Sequence, residues 1–385
     1  MRRRVIWITG ERSKARPITG FVSSIYESQG EMSLPEWSNI SFIAAGMPFD
    51  AGVLKNTNWS AQKKRFRCAG FNLSLSESAM IQYECPKRLY KYLSINGLIK
   101  TLEHGSIRLS RPAEFNDPLD MYLQAALGED RISFLEGVRK AFLENLWDDN
   151  DLSSMPSTPS KDKLVYLKSA IKHYSEEQKA LLREGALNIP IDELYDIARL
   201  DQSFRDVISF VNQSFQYDGV FCTTVAYNNL LMWAHYADKH QGAVVEFTPS
   251  IEEHSALLAS KKVRYSNQRP VLFATAQEMA LHTFCMSAEE TGKEILDTLT
   301  YTKSCAWEYE QEYRLYIPFF IKPGQEFATL SFHPKELTSV FLGCRMGAEN
   351  EEKTISLAKA INPYVAIYKA SPTPREFSIT FNRYQ

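Results

Sequence analysis

Residues 307–316, WEYEQEYRLY, place Glu308, Glu310, Glu312 and Arg314 at every second position. Residues two apart share one face of a β-strand. The stretch therefore reads as a strand whose one face is a row of carboxylates ending in a guanidinium, with Tyr309, Gln311, Tyr313 and Leu315 on the other. The tyrosines and the run into LYIPFFI favour a strand over a helix. Carboxylates crowded among aromatic rings suit the stabilisation of positive charge or general-base work. The same alternation on an edge strand would guard against aggregation.

A second concentration lies in LLMWAHYADKHQG, residues 230–242. On a helix, Trp233, Tyr236 and His240 share one face and Met232, His235 and Lys239 another. His235 and Tyr236 are candidates to line a pocket for a planar ligand; the alternative is a packed helix whose aromatic groups are tethered by hydrogen bonds. FNDP, residues 115–118, reads as a turn that fixes the carboxylate of Asp117, and His104 as a last-turn helix residue suited to the dipole. Neither a glycine-rich phosphate loop nor HExxH occurs, and the six cysteines (68, 85, 222, 285, 305 and 344) show no zinc spacing, so no metal site is expected from them.

The elements that must position these groups follow from pattern. RLYKYL reads as a strand, INGLIKTLEHG as a helix closed by Gly105, and SIRLS as the next strand. Residues 121–215 are helical in pattern: Ile132, Leu135, Val138, Phe142 and Leu146 recur at helical spacing, and Ser175 with Gln178 forms a capping box. DDNDLSSMPSTPSKD reads as a break. Strands return at GVFCTTVA, GAVVEF, KKVRY, FATLSF, SVFLG, VAIYKAS and FSITF, with a helix at AENEEKTISLAKAI. The fold expected is α+β, a largely antiparallel, twisted or split sheet with a helical insertion at 121–215. The core domain spans 86–385, and residues 1–85 form a segment of unclear role, with VIWIT and NISFIAAG as its candidate strands.

The net charge of −2 argues against wholesale grip on nucleic acid, although residues 1–88 carry 13 Lys/Arg against 7 Asp/Glu, chiefly Arg2–Arg4 and KKRFR at 63–67. Scattered cysteines, a short N-terminal apolar run and the lack of any long apolar stretch point to a reduced, cytoplasmic, membrane-free protein.

Four blocks together resemble the bacterial family known as domain of unknown function 2971: LYKYLSINGL…RLSRPAEFNDPLD, VFCTTVAYNNLLMWAHYADKHQGAVVEF, WEYEQEYRLY and FHPKELTSVFLGCRM. More loosely, the strand–helix–Gly–strand order at 89–111 with a late Glu-x-Glu strand resembles the ADP-ribosyltransferase plan. That resemblance implies NAD as substrate, Glu312 as catalytic carboxylate with Glu310 beside it, and Lys91, Tyr92, His235 and Tyr236 around the nicotinamide end. Lys91 and Tyr92 stand where those enzymes carry His or Arg. It further implies a toxin or phage-defence effector with a protein or nucleic-acid acceptor and an antitoxin or sensor partner. Two other classes compete: a metal-dependent nuclease or phosphoesterase in which Asp117, Glu310 and Glu312 gather Mg²⁺, and a non-catalytic sensor or interaction module.

Overall fold

The computed structural model describes residues 85–147, 159–285 and 288–384. The strands expected at VIWIT and NISFIAAG, both basic clusters and most of the DDNDLSSMPSTPSKD break lie outside the described residues.

The chain divides into two compact units. The described parts of 126–208 and 272–294 make the first, which is helical and draws on a stretch well beyond the expected insertion. In its helix Arg131–Trp147, Leu135, Val138, Phe142 and Leu146 are buried, but Ile132, expected on the same face, is 40% exposed. The capping box is present: Gln178 N–H donates to Ser175 Oγ (3.3 Å) and Ser175 N–H to Gln178 Oε1 (2.9 Å), which satisfies two otherwise orphan donors.

The second unit holds every described strand: β1 (Leu89–Leu93), β2 (Ser106–Leu109), β3 (Gly219–Thr224), β4 (Ala243–Phe247), β5 (Lys261–Lys262), β6 (Arg264–Ser266), β7 (Thr302–Ser304), β8 (Glu312–Ile317), β9 (Ala328–Ser331), β10 (Leu337–Leu342), β11 (Ala366–Pro372) and β12 (Ile379–Arg383). Eight of them form an open sheet in the order β12-β11-β10-β4-β1-β3-β8-β5, in which only β10 and β11 run parallel. The fold is thus mixed α+β with a mostly antiparallel open sheet. β2 pairs with β9 and β6 with β7 in two small sheets, so KKVRY is divided between two strands, and SIRLS does not join the sheet of β1 as expected.

Period-two alternation sorts the sheet's side chains. One face gathers Leu89, Phe221, Val245, Phe247, Leu315 and Val340 over Leu98 and Leu102 of the helix Ile95–His104 and Ala358 of the helix Ala348–Ile361. Ser94 caps the first of these helices and Gly105, at φ 56°, ends it. The other face carries Tyr90, Tyr92, Val244 and Phe341 against Met232 and Trp233 of the helix Leu230–Tyr236.

β1 and β3 are in register through one pair, Tyr90 and Thr224. Further along β3, Val220 bridges to Ser110 instead, and Lys91 Nζ reaches across to the Cys222 carbonyl (2.7 Å). The sheet opens there, and the opening becomes the floor of the site.

Candidate functional site

The expected strand at 307–316 is interrupted. Cys305–Glu310 forms a 3₁₀ turn started by Ser304, whose hydroxyl accepts from Ala306 N–H, and Gln311 sits in the left-handed region at φ 46°. β8 begins only at Glu312. The carboxylate row therefore does not exist as a row: the turn leaves Glu308 in solvent and swings Glu310 inward, 4% exposed, beside Glu312 at 3%.

These two acids belong to a buried five-charge cluster. Arg314, fully buried, satisfies all five of its N–H groups: Nε donates to Glu312 Oε1 (2.7 Å), Nη1 to Asp120 Oδ1 (3.0 Å) and the Thr300 carbonyl (2.7 Å), and Nη2 to Asp120 Oδ2 (2.5 Å) and Glu312 Oε2 (3.1 Å). Lys303 Nζ donates to Glu310 Oε2 (2.6 Å) and Glu312 Oε2 (2.9 Å), and lies 3.7 Å from Asp120. Burial alone would raise the Glu312 carboxyl, but Arg314 and Lys303 outweigh it and hold the group below the usual carboxylate range. Burial would likewise lower the Lys303 ammonium; Glu312, Glu310 and Asp120 together push it up. The other oxygen of Glu310 accepts from the Tyr236 hydroxyl (2.5 Å), which in turn accepts from Asn116 Nδ2 (3.1 Å). Burial first, and then this carboxylate, push the Tyr236 phenol up.

A cavity of about 280 Å³ opens onto this cluster, the scale of a small-molecule site. Lys91, Tyr92, Tyr236, Glu310 and Glu312 all line it, together with Tyr90, Cys222 and Asn116. Tyr92 is fixed there because its hydroxyl donates to the Ala226 carbonyl (2.9 Å) and accepts from Asn229 N–H (3.2 Å). His235 is exposed and does not line the cavity. The helix stops at Tyr236, and Asp238, Lys239 and His240 all adopt positive φ. His240 consequently leaves the expected helical face and stacks its ring on Trp233, 5.9 Å away and 11° from parallel.

FNDP proves more than a turn. Phe115 lies under the Arg314 guanidinium (5.5 Å), Asn116 holds Tyr236, and Asp117 accepts the Trp307 indole N–H (2.8 Å). Asp117 thus stands apart from the buried acids. Asp120, three residues on, is the carboxylate that pairs with Arg314. Lys303, Asp120 and Cys222, whose thiol burial pushes up and which lies against Glu312, carry no motif by which sequence reasoning could have found them. The signal that existed for Asp120 was its place just after FNDP.

Among the described residues, no group of three or more His, Cys, Asp or Glu could hold a metal ion, and no helix is long and apolar enough to cross a membrane. No curated protein and no solved structure matches the chain. A family model described as protein of unknown function (DUF2971) matches residues 232–315, which include the aromatic helix, Lys303, both buried glutamates and Arg314. The likeness carried by the sequence blocks is thereby sustained, and over residues 232–315 the chain belongs to the DUF2971 family.

Proposed function

We propose that the cavity binds NAD by its nicotinamide–ribose end and promotes cleavage of the bond between ribose C1′ and the nicotinamide nitrogen, with ADP-ribose passing to a protein or nucleic-acid acceptor as in an ADP-ribosyltransferase. The observation that carries this reading is the pair of buried carboxylates, Glu310 and Glu312, facing a cavity walled by tyrosines. When the bond breaks, its electron pair leaves with nicotinamide and positive charge develops at C1′. A preorganised carboxylate beside that carbon is worth more in the transition state than in the ground state. The sheet opening between β1 and β3, next to a late strand that starts at a Glu-x-Glu pair, is compatible with the plan that the sequence resembles.

Within this reading the two acids divide the work otherwise than the resemblance implies. Glu312 has both oxygens committed to Arg314 and Lys303, so it holds the frame. Glu310, with one donor on each oxygen, retains capacity for the ribose or for the acceptor's proton. The metal-dependent alternative has less support, because Glu310, Glu312 and Asp120 converge on the Lys303 ammonium, and a divalent ion would have to take that cation's place. The test is release of nicotinamide from NAD, followed chromatographically with and without candidate acceptors. Glu310→Gln should lower the rate roughly a hundredfold or more, about 3 kcal/mol of lost stabilisation. Wild-type protein that releases no nicotinamide, or a folded Glu310→Gln variant with unchanged turnover, overturns the reading.

A further inference from the structure

The charges around the cavity do not balance evenly. The buried cluster contains three carboxylates, Asp120, Glu310 and Glu312, against two cations, Lys303 and Arg314. Two further cations line the cavity. Arg108 is spent on Glu114 at 2.8 Å. Lys91 donates to the Cys222 carbonyl and lies 5.0 Å over the Phe221 ring, with no carboxylate partner. Asp120 and Glu312 are saturated by the Arg314 fork, so the uncompensated negative charge falls to Glu310, whose donors are one shared ammonium and one neutral phenol. Beside it stand the rings of Tyr90, Tyr92 and Tyr236, whose faces attract cations. The cavity thus presents a carboxylate in want of a positive partner and, at Lys91, a cation in want of a negative one.

We propose that this cavity selects its ligand by ring charge: it takes a nucleotide that combines a pyridinium ring with a phosphate, and it rejects the same nucleotide with a neutral dihydropyridine ring. Glu310 is the residue that sets the discrimination, and Lys91 the one that receives the phosphate. The inference rests on the NAD reading and narrows it to the oxidised form. Shape cannot supply this selectivity alone, since the two ring states differ little in size; charge can, because a buried unpaired carboxylate is poorly screened.

The experiment is calorimetric titration of the full chain with nicotinamide mononucleotide and with its reduced form, which share ribose and phosphate and differ at the ring. Wild type should bind the oxidised form at least about tenfold more tightly, which is about 1.4 kcal/mol. Glu310→Gln should bring the ratio close to one, whereas Lys91→Met should weaken both forms alike and leave the ratio standing. Equal binding of the two forms by wild type overturns the charge inference while leaving a nucleotide site in place. Binding of neither form overturns the inference together with the NAD reading. The wild-type ratio decides the matter even where Glu310→Gln fails to fold.

Discussion

Glu312 and Glu310 sit two residues apart and are about equally buried, yet the structure assigns them opposite roles, and substituting each in turn separates them. Glu312→Gln keeps the side chain's size but replaces a carboxylate that binds Nε and Nη2 of Arg314 and Nζ of Lys303. The amide can accept at only one of its two former oxygen positions, and its NH₂ would face a guanidinium that is fully buried. Breaking one partner of a buried pair costs about 3–5 kcal/mol, because the surviving charge is left uncompensated. Asp120 remains on Arg314, which points to the lower end of that range, about 3 kcal/mol. For a unit of this size the melting temperature should fall by about 6–12 °C. Glu310→Gln loses one bond to Lys303 and one to Tyr236 on the cavity side, and Lys303 keeps Glu312, so its loss should stay near 1 kcal/mol. The assay is urea unfolding at pH 7, with fluorescence and far-ultraviolet dichroism as coincident probes. A Glu312→Gln variant with the wild-type midpoint, or a larger loss in Glu310→Gln than in Glu312→Gln, refutes the division of roles.

Two further outcomes are expected. Burial pushes the Asp218 carboxyl from 3.8 up to about 6, against the hydrogen bonds it accepts from the Tyr316 hydroxyl and Phe319 N–H. The folded state therefore binds its proton more tightly than the unfolded state, and stability should fall as pH rises from about 4 through 6, by up to about 3 kcal/mol. Asp218→Asn should flatten the melting temperature over that window, and an unchanged slope would refute it. Glu312, held below the usual range, acts in the opposite sense and loses its contribution only as pH falls below 4.5. Gly242→Ala should destabilise severely, because an added Cβ would stand 2.1 Å from the Leu93 carbonyl oxygen, a backbone atom that cannot swing aside. A soluble Gly242→Ala protein with the wild-type melting temperature would contradict that geometry.

What could be read from the sequence was what local chemistry decides. Gly105 ends its helix, Ser175 and Gln178 start theirs, and the alternating runs at 89–93, 219–224, 243–247 and 337–342 became strands because side-chain periodicity within each segment suffices to call them. The errors arose where one backbone residue overrides a pattern. WEYEQEYRLY alternates well enough for a strand of ten, but left-handed Gln311, which carries no glycine to announce it, turns the first half into a 3₁₀ turn. ADKH likewise continues a helical pattern, whereas three successive positive φ values fold it back so that Gly242 can pass against β1. Asp120 and Lys303 were invisible for another reason. Their partners lie up to 194 residues away in the chain, and no periodicity encodes a pairing between segments.

The cluster itself supports the separation of frame from site. Burying five charges is costly, and well-packed apolar residues would often be as stable, so the cluster's geometry must be judged by what each member satisfies. Arg314, Asp120 and Glu312 form a closed set: every guanidinium N–H has an acceptor, and both carboxylates are held bidentately. Such a set fixes β8 against the 115–120 turn without help from a further acid. Glu310 adds a negative charge that this frame does not need. It is delivered by a distorted turn instead of a strand, and it is connected outward through Tyr236 to Asn116 at the cavity wall. A residue that costs charge and backbone regularity, and that the frame could do without, is the one whose presence is best accounted for by a ligand.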